Sequence, residues 1–117
     1  MKVILMIHNM KLNDEPFNRI KEGKKTIEMR LYDEKRSLIS VGDIIEFTNR
    51  KTNEIIETIV VDIYKFENFD ELFKNFTKEE LGYLENEKSD PTDMLKYYSK
   101  EEQKNYGVVG IKIKLHI

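Results

Sequence analysis

Cysteine is absent from this 117-residue sequence. That excludes disulfides, thiol catalysis and cysteine-rich zinc sites, and it fits a reducing, cytoplasmic compartment. Histidine is nearly absent as well. His8 and His116 each stand alone, so neither a histidine-built metal centre nor a Ser-His-Asp triad is supplied. The sequence points to no metal and no cofactor. No apolar run approaches the roughly 20 residues that cross a bilayer. The opening MKVILMIHNM has one Lys, a short apolar stretch and no small-residue cleavage pattern, so it reads as a strand rather than a signal peptide. Repeats, low-complexity tracts and linkers are missing too. The length suits one domain over residues 1–117 with a core of its own.

A strong charge of one sign is also lacking. The net charge is −2, which argues against a protein that holds nucleic acid by bulk positive charge. The chain is 36% charged and 39% hydrophobic, yet its apolar residues are patterned as in a folded protein. What charge there is lies unevenly. Residues 19–36 hold seven basic residues against four acidic, and residues 66–93 hold three lysines against nine Asp and Glu. A local basic patch attracts phosphates even under a slightly negative total. The plainer reading of both segments is solvated surface.

The patterning predicts a strand near residues 2–8 from KVILMIH, then a helix over NDEPFNRIKEG. In that helix Pro16 suits the first turn, Phe17 and Ile20 share a face, and Gly23 supplies the left-handed terminus. Ile27, Met29 and Leu31 alternate with Thr26, Glu28 and Arg30, the period of a half-buried strand. Two strands at about 43–49 and 54–64, joined by the polar NRKTN, predict a hairpin. A short amphipathic helix follows, capped by Asn68, with Phe69, Leu72, Phe73 and Phe76 on its apolar face. TKEELGYL adds a turn. DPTDMLKYYSKEEQKNYG predicts one helix broken near Ser99, and GVVGIKIKLHI closes the chain as a strand. This order predicts an α+β protein, a small, mostly antiparallel barrel with flanking helices.

The stretch EGKKTIEMRL concentrates the chemistry. Gly23-Lys24-Lys25-Thr26 is superficially similar to the end of a P-loop, but it lacks the upstream Gly and runs from helix to strand, the reverse order. Nucleoside triphosphate hydrolysis is rejected on that ground. Lysines and backbone amides in a helix-to-strand turn suit a phosphate or nucleobase, which Thr26, Glu28 and Arg30 would orient. The alternative is a surface ion pair between Glu28 and Arg30 worth about 0–1 kcal/mol. Tyr32, Tyr97, Tyr98 and Tyr106 offer stacking surfaces if exposed, or rim packing if not.

GKKTIEMR resembles the Gly-x-Lys-x-x-Glu-x-Arg signature of the ASCH domain, a PUA-like family, at Gly23, Lys25, Glu28 and Arg30. VGDIIEF, YKFENFDELF and YYSKEEQKNYGVVGIKI are similar to later family segments in the expected order. The resemblance implies a PUA-like β-barrel and a cleft around the signature. It implies RNA or a nucleoside or nucleotide as ligand, or a protein partner in transcription or translation, and no membrane. Around Lys25, Glu28 and Arg30 the assisting ligand contacts would be Gly23, Lys24, Thr26, Arg36 and Tyr98. Some family members are amidohydrolases of acetylcytidine that use the signature Lys, a Thr three residues on and a distant Glu; others are similar to ribonucleases. Here the position three beyond Lys25 is Glu28. A catalytic version would use Lys25 as base or nucleophile and Glu28 as proton shuttle. Glu85, Glu87, Asp90 and Asp93 all fall where the distant carboxylate would lie. A third reading is an adaptor whose acidic 66–93 segment docks a basic protein.

Overall fold

The computed structural model describes residues 6–116. The chain runs β1 (Ile7–Leu12), α1 (Asp14–Lys21), β2 (Ile27–Leu31), α2 (Glu34–Ser37), β3 (Ile44–Asn49) and β4 (Ile55–Phe66). There follow α3 (Phe69–Lys74), a 3₁₀ segment (Pro91–Lys96), α4 (Lys100–Tyr106) and β5 (Val108–Leu115). The five strands form one sheet in the order β1-β3-β4-β5-β2. β1 runs parallel to β3, and the other pairings are antiparallel. A register shift between Val60 and Asp62 marks a bulge in the long β4, the device that bends a strand and curls its sheet. The result is a mixed, curled half-barrel of α+β type. β1 and β2 are its two edges, and they are not paired with each other.

Two cores sit on opposite faces of this sheet. Phe17 and Ile20 of α1 close the inner one with Met10, Leu12, Phe47, Val109 and Ile111. The outer core joins Ile27, Met29 and Leu31 of β2 to Phe69 and Leu72 of α3, with Leu81, Met94 and Val108. β2 therefore lies between two apolar masses. Its odd positions enter the outer core, as the alternation predicts. Its even positions face the inner side, opposite Ile111 and Val109 of β5.

The sequence expectations and the structure differ in three places. Residues 2–5 of the strand expected at 2–8 lie outside the described residues. The strand that is described, Ile7–Leu12, buries His8, Met10 and Leu12 and exposes Ile7, Asn9 and Lys11. A polar inward residue hid that period. His8 is accommodated because its Nε2 lies 2.9 Å from Asp43 Oδ2. Burial pushes the Asp43 carboxyl up, but His8 and the backbone amides of Ser40 and Met6 hold it below its usual range. The short α2 was not anticipated, since it buries nothing and so leaves no apolar period to read. Finally, the broken helix of residues 90–106 is a 3₁₀ segment followed by α4, with Ser99 and Glu102 forming both bonds of a capping box.

α1 ends in a Schellman turn. Gly23, at φ +77°, donates to Ile20 O at 2.9 Å, and Lys24 and Lys25 both donate to Arg19 O at 2.9 and 3.0 Å. The turn points the chain into β2 and places Lys25 beside it. A Cβ at Gly23 meets nothing within 4 Å, so the requirement is purely one of backbone conformation. Gly23→Ala is expected to lower stability by about 1 kcal/mol in urea unfolding. An unchanged midpoint would show that the left-handed turn does not constrain this junction.

Candidate functional site

The even face of β2 is nearly closed to solvent. Glu28 is 2% exposed and Lys25 8%. Glu28 Oε1 accepts from Lys25 Nζ at 2.9 Å and from the Met29 amide at 3.1 Å. Its Oε2 accepts from Arg30 Nη2 at 2.9 Å and Nε at 3.1 Å. The surface-pair reading of Glu28 and Arg30 is thereby overturned: their side chains are 3% and 12% exposed, and Lys25 is a third member. The cause is the chain beyond β4: Gly82 packs on the Lys25 stem and Tyr98 lies against Arg30, covering the face of β2 that a half-barrel edge would otherwise leave open. Removing one partner from such a buried set costs about 3–5 kcal/mol, because the charge left behind is neither solvated nor paired.

Burial alone pushes the Glu28 carboxyl up, but Lys25 and then Arg30 outweigh it and hold it at about 2, against an ordinary 4.5. Arg30 is pushed down by burial and raised on balance by Glu28 and by Tyr98, whose hydroxyl lies beside the guanidinium. Arg30 has a further task. Its Nη2 donates to Lys11 O at 3.0 Å, which ties the β2 edge to the β1 edge across the open side of the half-barrel.

A cleft of about 700 Å³ opens at that gap. Lys25, Glu28 and Arg30 form its floor, β1 and the start of α1 one wall, and residues 81–83 and 93–98 the other. Lys11, Arg19, Lys25, Arg30, Arg36, Arg50 and Lys96 line it against Glu15, Glu28, Glu87 and Asp93. Arg36 is bonded to Asp33 Oδ2 through Nη1 at 2.8 Å, while its buried Nε has no acceptor. An unpaired buried donor of that kind costs about 1–3 kcal/mol. A larger groove of about 1120 Å³ lies between the end of β4, α3 and α4. Its charged residues, such as Lys65, Glu67, Asp70 and Lys104, are all exposed. With no held charge, that groove is the weaker candidate.

Of the candidates named from sequence, Lys25, Glu28, Arg30, Arg36 and Tyr98 come together in the cleft. Gly23, Lys24 and Thr26 do not line it. Lys24 turns outward to Glu22 at 3.1 Å, with both side chains more than half exposed. Thr26 is used through its backbone, donating to Glu80 O at 3.0 Å and accepting from the Ile113 amide at 2.9 Å. Among the four distant carboxylates, Glu87 and Asp93 line the cleft, and Glu85 and Asp90 do not.

Sequence reasoning missed the strap that covers Lys25. Gly82, at φ +96°, packs so closely on the Lys25 stem that a Cβ there would lie 2.8 Å from Lys25 Cδ. Arg19 pins this strap, donating to Gly82 O at 2.7 Å and pairing with Glu87 at 3.1 Å. The Leu84 amide, followed by Arg19, lowers the Glu87 carboxyl. Tyr83 donates to Asp93 Oδ2 at 2.8 Å, and burial together with that carboxylate raises the phenol well above its ordinary range. The only signal in the sequence was the glycine inside EELGYL, which marks a turn but not what the turn covers.

A curled, mixed half-barrel with a buried Lys-Glu-Arg set in its mouth defines a PUA-like α+β protein. The ASCH domain matches residues 10–116, and the chain belongs to the ASCH domain family. Among solved structures it is similar to the hypothetical protein PH0355, at 36% identity and TM-score 0.83, covering 95% of this chain and 100% of that one. The solution structure of protein PF0455 from Pyrococcus furiosus is 37% identical at TM-score 0.68, covering 94% and 97%. ASCH from Zymomonas mobilis, at 17% identity and TM-score 0.67, shares the fold over 92% of this chain and 66% of its own. No protein of curated function matches the chain.

Because the folded Glu28 value of about 2 lies below the ordinary 4.5, its contribution is fully present above about pH 4.5. It is lost as pH falls toward 2, and the linkage is worth on the order of 3 kcal/mol. In denaturant unfolding Glu28→Gln is expected to be about 3–5 kcal/mol less stable than the wild type at pH 7, with the gap narrowing through that acid window. A gap that stays constant down to pH 2 would mean that Glu28 is not held ionised by its neighbours.

Proposed function

We propose that the chain binds single-stranded RNA or a nucleotide-like ligand in this cleft, in the cytoplasm. The observation that carries the reading is the surplus of Lys and Arg over Asp and Glu around a floor whose carboxylate is already saturated. A cleft of one prevailing sign between low-dielectric walls concentrates ligands of the opposite sign. Tyr97, 59% exposed, and Tyr98 stand on the same wall, where a stacked base contributes about 1–3 kcal/mol. Lys25, Arg30, Arg36 and Tyr98 are the proposed ligand contacts. Gly23, Lys24 and Thr26 act from outside the cleft by shaping the turn that delivers Lys25. The association of the ASCH family with RNA supports the same reading.

Fluorescence anisotropy with a labelled single-stranded RNA tests it. Lys25→Ala, Arg30→Ala and the surface double variant Arg50→Ala/Lys96→Ala are each expected to weaken binding by about tenfold or more. The double variant should also flatten the dependence of log affinity on log salt, by about 0.7 for each phosphate it no longer neutralises. Affinity unchanged in all three would remove the cleft as the binding site.

A hydrolytic reading rests on a separate observation, the presence of Glu87 and Asp93 in the cleft with Lys25. The ion pair weighs against it. At about 2, Glu28 is ionised at neutral pH and has no proton to donate, and its contact with Lys25 Nζ must break before the amine can attack. Acetate release from acetylcytidine is therefore expected at background level, identical for wild type and Lys25→Ala. Turnover abolished by Lys25→Ala would replace binding with amidohydrolysis, and the same comparison on RNA would reveal a ribonuclease. For the adaptor reading, Arg19 pairs with Glu87 and Lys74 with Glu71, two of the nine acidic residues of the 66–93 segment.

A further inference from the structure

Resting on the binding role proposed for the cleft, we infer that the ligand is held there by a phosphate group, so that nucleotides or phosphodiesters, and not neutral nucleosides, are its ligand class. The basis is which charged groups of the cleft already have partners. Each acidic side chain lining it is occupied from within the protein. Glu28 takes Lys25 and Arg30, both at 2.9 Å. Glu15 and Glu87 take Arg19, at 3.2 and 3.1 Å, and Asp93 takes the Tyr83 hydroxyl at 2.8 Å.

The basic side chains are not matched in the same way. Lys11, Arg50 and Lys96 line the cleft and have no ion-pairing carboxylate among the described residues. Arg36 keeps a buried Nε–H without an acceptor. What the cleft lacks is therefore acceptor oxygen carrying negative charge. A ribose or the edge of a base brings donors mixed with acceptors and no charge. The non-bridging oxygens of a phosphate bring acceptors only, with charge, in the planar geometry that a guanidinium fork matches.

Two of the unmatched residues, Lys11 and Arg50, are also neighbours at the end of β1. The Arg50 amide donates to Leu12 O at 2.8 Å, and Arg30 Nη2 donates to Lys11 O at 3.0 Å. Arg50 is thus anchored next to Lys11 at the end of β1, and Arg30, itself paired with Glu28, holds the same strand end against β2. The anion comes from one of two sources, a terminal monophosphate or a backbone phosphodiester.

Calorimetric titration of the wild-type chain with cytidine, cytidine 5′-monophosphate and a cytidine trinucleotide lacking terminal phosphate separates the possibilities. At low salt at least one phosphate-bearing ligand is expected to bind about tenfold or more tightly than cytidine, with the advantage shrinking as salt rises. Preference for the monophosphate assigns the seat to a terminal phosphate; preference for the trinucleotide assigns it to the backbone. Arg50→Ala/Lys96→Ala should abolish that advantage, and an advantage of undiminished size in this variant would overturn the phosphate inference. Cytidine binding within about threefold of both other ligands would overturn the phosphate inference and leave the cleft as a binding site. Absence of binding by all three would overturn both.

Discussion

The structure depends on one buried carboxylate being fully compensated. Glu28 is 2% exposed, and an isolated ionised carboxylate at that depth would carry a desolvation penalty that a fold of this size does not tolerate. Lys25, Arg30 and the Met29 amide together remove it. The compensation has structural consequences. Lys25 must be delivered by a turn at a fixed place, which the glycine end of α1 does. Arg30, held by Glu28, is at the right height to reach Lys11 O and bridge the two edges of the sheet.

Such a set contributes less to stability than an apolar replacement of equal volume often would. Its presence in the mouth of a half-barrel accords with the binding role proposed for the cleft. Two cations are kept close together without repelling each other, because the anion between them is part of the protein. For the binding proposed above, a ligand in the cleft would meet ammonium and guanidinium groups already oriented by Glu28, so little reorganisation would be needed. The same pairing disfavours chemistry at Lys25, since an ion-paired ammonium is a poor nucleophile. A strap over the Lys25 stem, made close by Gly82 and pinned by Arg19, further limits the motion of that side chain.

Local features were legible from the residues alone. The alternation of Ile27, Met29 and Leu31 identified β2, Gly23 identified the end of α1, and Ser99 with Glu102 identified the start of α4. Each is decided by backbone conformation or by hydrogen bonds within a few residues. β1 was harder, because His8 occupies an inward position and is acceptable there only through Asp43, which lies 35 residues away. α2 was invisible for the opposite reason: a turn that buries nothing needs no pattern.

By itself, then, the sequence determined the succession of strands and helices, the α+β class and the Gly-x-Lys-x-x-Glu-x-Arg signature of the ASCH family. Those properties follow from short-range periodicity and from residue types at fixed spacing. Only the tertiary structure decided that the polar face of β2 is buried, that Lys25, Glu28 and Arg30 form one charged unit, and that residues from 81 to 98 close the cleft while Lys24 and Thr26 stand outside it. Alternation assigns a side chain to one face of a strand. Whether that face meets water depends on segments distant in the chain, and here the strap at residues 81–83 and the 93–98 segment, both beyond β4, cover the charged set.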